Sequence, residues 1–285
     1  MAAARWHLLL LPPLALSLLL LTASQAVFLR GSFFVDLRVG RLGTEPTLAN
    51  YLRVLSDGFY LSALWLTVKL SAIVAALTLA MGYPAAYLLA RMRPSRAMVL
   101  LALLVAMSFV TIVIKVLGLV ILFSPGGLLN RALVGLGLAA APLSLRGTQA
   151  GVVVGLLYFT LGFLILLLYS VIRTIPVSLE QAAQLLGAPR RRVLWRVVLP
   201  LSLPGVVASA LIVFNMCMGA FTSAALIGAG KVPTLPVLIQ RTVIMDARYG
   251  LGATLAAVLL ACRLALNLAS IVAVGRLRHG RTVVA

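Results

Sequence analysis

Few residues of this chain can do chemistry, and their spacing matches no pattern for making or breaking bonds. The lysines are Lys69, Lys115 and Lys231, and none sits in the G-x-x-x-x-G-K-[ST] context that cradles a nucleotide. Any ATP is therefore handled by another chain. Cys217 and Cys262 both lie inside apolar runs, which suits packing and suggests neither a disulfide framework nor a metal centre. The expectation is a non-enzyme that binds no metal and no cofactor of its own.

Two cations stand inside apolar runs, Lys115 and Arg263. An ionisable group in hydrocarbon is costly and faces water, a partner or backbone carbonyls, so both are candidates for a pathway, an interface or a structural tie. Lys69 lies nearer a run's end and can snorkel. Tyr83, Tyr158, Phe214 and Phe221 offer aromatic faces to a solute, whereas no Asp or Glu falls within an apolar run.

The connection Ile175–Gly205, IPVSLEQAAQLLGAPRRRVLWRVVLPLSLPG, is unlike an ordinary polar linker. Pro176 ends the preceding helix, and Ser178 with Gln181 three residues on predicts a capping box. Glu180 falls in the first turn, where the helix dipole favours a carboxylate. A short helix is predicted from Leu179 to Leu186, stopped by Gly187 and Pro189. Val193, Leu194, Val197 and Val198 form a second amphipathic stretch before Pro200 and Pro204. The small Ala182, Ala183 and Gly187 would let another protein approach the backbone. The arginines Arg190, Arg191, Arg192 and Arg196 equally suit a helix held against anionic lipid.

The elements that must position these residues are membrane helices. Of 285 residues 63% are hydrophobic and 10% charged, with a mean hydropathy of +1.15, far more apolar surface than a soluble domain can hide. Six runs are long enough to cross a hydrocarbon layer as helices: Leu8–Leu29, Tyr60–Ala90, Ala97–Phe123, Gln149–Ile172, Pro204–Ala229 and Gly250–Gly275. The fold is expected to be all-α. The net charge of +19 does not point to nucleic acid, because the bases cluster between apolar runs. With the N-terminus inside, twelve bases face Glu180 alone on the cytoplasmic side, among them Arg5, Arg91, Arg173, Arg276, Arg278 and Arg281. The outer segments, with Arg38 among them, carry nine bases and four acids. That bias places both termini in the cytoplasm. Arg5, the leucine run and Ser24-Gln25-Ala26 also fit a secretory signal peptide; the run's continuation to Leu29 favours a retained anchor.

In the connecting loop Gln181, Ala182, Ala183, Gly187, Trp195, Leu199 and Pro200 resemble the EAA loop of permeases of binding-protein-dependent ABC importers. The family's glutamate position falls on Gln181, with Glu180 just before it. Asn50-Tyr51, Gly82-Tyr83-Pro84, Ala90-Arg91 and Gly228 to Lys231 resemble the spermidine/putrescine-type permeases of that superfamily, so the likeness runs from about Thr47 onward. It implies a type I, MetI-like fold: residues 1–46 as a wrapping helix and periplasmic loop, residues 47–285 as a five-helix core, and a coupling helix within 175–205. It also implies an inner-membrane protein that forms half of a solute pathway. Its partners would be a second permease subunit, a cytosolic ABC ATPase dimer that holds the ATP and magnesium, and a periplasmic or extracellular solute-binding protein. The solute implied is a polyamine or similar small molecule. An anion would suit Lys115 and Arg263 better, and related permeases carry metal ions. A secondary carrier would want acidic or unwound midplane sites and no docking helix. A scaffold that merely recruits a soluble partner is the remaining reading. Gly151 with Gly155, and Gly205 with Ser209, would pack helices within the subunit or between two permeases.

Overall fold

The computed structural model of the chain describes residues 3–38, 40–137, 142 and 145–279. Arg281, counted among the cytoplasmic bases, lies outside the described residues, as do the side chains of Arg5, Arg38, Arg276 and Arg278. Helix α1 (Ala3–Gly31) leads into an antiparallel hairpin, β1 (Phe34–Arg38) and β2 (Arg41–Pro46). Then follow α2 (Ala49–Ser56), α3 (Gly58–Arg91), α4 (Pro94–Phe109), α5 (Ile112–Leu122), α6 (Leu128–Gly135) and α7 (Gln149–Arg173). The short α8 (Val177–Leu185) and α9 (Arg190–Val193) precede a π turn over Leu194–Val198 that runs into α10 (Leu199–Met218). The chain closes with α11 (Thr222–Gly228), α12 (Leu235–Gln240), a second π turn over Arg241–Met245, and α13 (Tyr249–His279). Among the described residues five helices are long and apolar enough to cross a membrane, six if α4 and α5 count as one span.

By packing, the chain divides into two compact units, Met1–Leu64 with Leu235–Cys262, and Trp65–Thr234 with Arg263–Ala285. This division does not follow the boundary drawn at residues 46 and 47, because the hairpin before that point is tied to the start of the last helix. The Asp36 carboxylate accepts the N–H groups of Gly250 and Leu251 at 2.7 and 2.9 Å, supplying partners that the first turn of α13 lacks. Asn50 donates to the Phe34 carbonyl at 2.8 Å, the Ser32 and Tyr51 hydroxyls meet at 2.7 Å, and Thr254 donates to the Ser32 carbonyl at 3.1 Å. A Cβ at Gly250 would overlap the Phe34 carbonyl, so only glycine fits there. In α1 the side chains from Leu11 to Leu20 are all exposed, leaving its apolar surface for lipid or another subunit.

The second unit is organised on two four-residue rows. Val152, Leu156, Thr160, Leu164, Leu168 and Ile172 are buried along one face of α7, and Leu70, Val74, Thr78, Gly82, Ala86 and Ala90 along one face of α3. The rows meet where Thr78 and Thr160 share a 3.2 Å hydrogen bond and where a Cβ at Gly82 would come 2.8 Å from Leu164. Helix α7 also packs against α4, α5, α10 and α11. The small residues serve packing inside the chain: added Cβ atoms would strike Leu145 and Ile227 from Gly151, Ile227 from Gly155 and Val171 from Gly205, and Ser209 is buried.

Two expected spans are broken. The run Ala97–Phe123 is two helices bent by 92°, because Val110 and Thr111, both β-branched, take extended backbone between α4 and α5. The run Pro204–Ala229 stops at Gly219 and resumes at Thr222.

Replacing Asp36 with Ala should lower stability by about 1–2 kcal/mol through loss of the helix cap, and Gly250→Leu by more. Thermal unfolding in detergent micelles checks both; an unchanged transition in the two variants would mean that the hairpin does not hold the last helix.

Candidate functional site

The connection after α7 gathers most of the residues singled out in the sequence. Helix α8 starts at Val177, with Pro176 at its N-cap and no side-chain cap. Ser178 therefore lies inside the first turn, and the expected Ser178–Gln181 capping box does not form. The far end follows from the glycine. Gly187 takes a left-handed φ of +83°, its N–H meets the Gln184 carbonyl at 2.9 Å, and the Ala188 N–H reaches back to the Ala183 carbonyl at 3.1 Å. This double closure ends the helix sharply and needs a residue without a Cβ penalty.

Glu180 points inward and is only 4% exposed. Arg91, at the end of α3, donates from Nε to Oε1 at 2.7 Å and from Nη2 to the same oxygen at 2.6 Å, while the Tyr87 hydroxyl donates to Oε2 at 2.8 Å. Arg91 Nη2 also meets the Ile175 carbonyl at 3.2 Å, and Arg173 Nη1 meets the Ala90 carbonyl at 3.3 Å. One carboxylate thus ties the short helix to the end of a long apolar one. Such a buried pair is costly to break, because either partner left alone is an uncompensated charge.

The opposite side of α8 is bare. Gln181, Ala182 and Gly187 are exposed and Ala183 is half-buried, while Leu185 and Leu186 are 89% and 90% exposed at the tip. The structure therefore separates Glu180 from its neighbours: it anchors, and Gln181, Ala182, Leu185 and Leu186 present a surface. Beyond the tip Val193 and Val198 are buried, Leu199 and Pro200 half-buried, and Trp195 exposed.

The residues expected along a pathway do not form one group. Arg263 donates from Nη2 to the Asn215 carbonyl at 3.1 Å and from Nε toward Asn215 Oδ1 at 3.4 Å. The Asn215 and Asn267 amides exchange hydrogen bonds of 2.8 and 3.0 Å. Of the readings open for Arg263, the structure supplies a tie to backbone carbonyls, at the terminal turn of α10 just before its break, where the helix dipole favours a cation. Lys115 and Tyr158 come together around a cavity of about 170 Å³ beside the bend between α4 and α5, with Ser108 and Phe159. Tyr83 borders a different, apolar cavity, its hydroxyl 3.0 Å from that of Ser202. Phe214 and Phe221 line neither. Arg91, Tyr87, Asn215, Asn267, Leu185 and Leu186 gain roles that sequence reasoning had not given them. The signals were present: a lone carboxylate in an acid-poor chain needs a base, and Asn267 stands one turn from Arg263.

Residues 82–279 match the family model described as binding-protein-dependent transport system inner membrane component. The chain is 32% identical over 206 residues to the spermidine/putrescine transport system permease protein PotB of Haemophilus influenzae, covering 72% of each. It is 34% identical over 203 residues to the molybdenum transport system permease protein ModB of Mycobacterium tuberculosis, covering 69% of this chain and 75% of that one. A chain of the bacterial alginate ABC transporter, solved in complex with an alginate pentasaccharide-bound periplasmic protein, shares the fold with a TM-score of 0.78 at 18% identity, over 93% of this chain and 92% of that one.

Glu180→Ala is expected to destabilise the loop by about 3 kcal/mol or more, and Tyr87→Phe by about 1 kcal/mol. Limited proteolysis at the Arg190–Arg192 segment, read with a double-mutant cycle through Arg91→Met, measures both. If Glu180→Ala and Arg91→Met prove additive, the pair is not coupled.

Proposed function

The chain belongs to the binding-protein-dependent transport system inner membrane component family, and from that premise we propose that it forms one half of a solute pathway driven through α8. The observation that carries this is the two-sided α8: a bare tip of Leu185 and Leu186 beside Ala182 and Gln181, and a buried Glu180 bonded to Arg91 on the opposite side. A groove on a cytosolic ABC ATPase takes the tip, ATP and magnesium are held and hydrolysed on that subunit, and its closure displaces α8. The Glu180–Arg91 bond passes the displacement to α3. Trp195, Leu199 and Pro200 pass it to α10 in the same way, through a continuous helical run from Arg190 to Met218. The loop side, with both termini, is cytoplasmic, and residues 1–46 lie outside the five-helix core. A second permease subunit completes the passage, and an external solute-binding protein delivers to it.

The solute is a small polyamine-like molecule, a reading supported by the relative named for spermidine and putrescine. An oxyanion is the second reading. It is favoured by Lys115 at the cavity beside the bend and by the relative named for molybdenum.

Leu185→Asp with Leu186→Asp should abolish association with the ATPase and reduce ATP-driven uptake at least tenfold, because two charges cannot be desolvated in an apolar groove. Co-purification and uptake into proteoliposomes read the two effects, with labelled spermidine and labelled molybdate as the compared solutes. Full association in the double variant would overturn the docking role, and uptake of molybdate alone would decide for the oxyanion.

A further inference from the structure

The arginines Arg190, Arg191, Arg192 and Arg196 are all exposed and take no part in the docking described above. Beside them lies a cavity of about 390 Å³ between α3 and the run from Arg190 to Met218, bordered by Leu79, Tyr83, Trp195, Leu199, Leu203 and Val206. Its lining asks for an apolar occupant, since the Tyr83 hydroxyl is already engaged by Ser202. A charged solute would lose its hydration there without replacement.

The placement of the two features is regular. Arg191, Trp195, Leu199 and Leu203 recur every fourth residue, with Val206 three further on, so an arginine and the cavity wall share one face of the same helical run. From Trp195 to Val206 that face rises about 16 Å. This is close to half of a hydrocarbon core about 30 Å thick. The cavity wall is thus about one leaflet long, Trp195, an interface-seeking side chain, borders it, and the arginine-bearing turn adjoins that end of the same helical run. That is the outline of an amphiphile with one anionic end.

We propose that this cavity holds an acyl chain of an anionic phospholipid whose phosphate pairs with Arg191, Arg192 and Arg196. Guanidinium forks bind phosphate bidentately, and each basic residue at an anionic surface adds to the attraction. A zwitterionic lipid fills the cavity but leaves the surplus positive charge unanswered. The occupant touches Trp195 and Leu199, at the root of the docking loop, so the composition of the leaflet bears on how firmly that loop is held. This site is independent of which solute is carried.

The test uses the full chain assembled with its partners in vesicles, with Trp6→Phe and Trp65→Phe leaving Trp195 as this chain's sole tryptophan and the same assembly carrying Trp195→Phe as the background that is subtracted. Bromine on the acyl chains quenches a tryptophan that it touches. Brominated phosphatidylglycerol, at about a tenth of the lipid in a phosphatidylcholine background, should quench Trp195 about fivefold more strongly than brominated phosphatidylcholine at the same fraction. Arg191→Gln, Arg192→Gln and Arg196→Gln together should bring the ratio to one, Arg191→Lys should keep it above one, and Ala80→Phe, which fills the cavity, should weaken quenching by both lipids. Equal quenching by the two lipids in the parent chain overturns the proposal, as does a preference that survives the triple replacement. Efficient crosslinking of two copies through Leu203→Cys would place a second subunit in the cavity and overturn it too.

Discussion

Hydrocarbon offers no hydrogen bonds, and the end of α10 and the start of α13 are arranged around that constraint. Where α10 stops short at Gly219, Arg263 is brought to the carbonyl of Asn215, and the Asn215 and Asn267 amides bond each other. Where α13 begins, the N–H groups of Gly250 and Leu251 are met by Asp36. Within the spans the hydroxyls of Ser71, Thr78 and Thr160 return to carbonyls one turn back. A cation in the middle of an apolar run is therefore no sign by itself of a solute. Here it replaces the water that a helix end in a soluble protein would use.

The same scarcity of polar partners explains the loop. A carboxylate buried beside an apolar helix end is tolerable only when fully paired, and Glu180 is paired twice over, by guanidinium and phenol. Pairing of this kind adds little net stability compared with an apolar contact, but it fixes direction and distance. The coupling role proposed above needs that rigidity more than it needs strength. Gly187 makes the complementary contribution on the other side by ending α8 within one residue, so that Leu185 and Leu186 form a tip.

How much of this was legible depended on whether a signal was one-dimensional. The spans could be read because length and hydropathy suffice, and α3, α7 and α13 fall within a few residues of their expected limits, apart from the longer end of α13. The inward faces could not, since in an apolar run nearly every side chain is compatible with lipid; only the small pairs Gly151 with Gly155 and Gly205 with Ser209 signalled close approach. The bend at Val110 and Thr111 was missed for the same reason: hydropathy does not change there, although two β-branched residues adjoin. Ser178 misled because the capping pattern was correct in spacing but two residues too late for a helix that starts at Val177 with Pro176 at its N-cap. Arg91 and Glu180 were each noticed, one as an orientation signal and the other as a helix-start carboxylate. Their union requires knowing that α3 and α8 meet.

The cap on the last helix has a consequence for the order in which the protein can be made. Asp36 and Gly250 are separated by 214 positions in the chain. At ribosomal speeds of about 5–20 residues per second, about ten to forty seconds pass between the synthesis of the two. Throughout that interval the hairpin is complete and the helix that it will grip has not been made. The Asn50 and Tyr51 contacts, local to the hairpin, can form at once and keep it shaped while it waits. Assembly thus includes a closing step, in which a late-made segment of the polypeptide is received by a much earlier one.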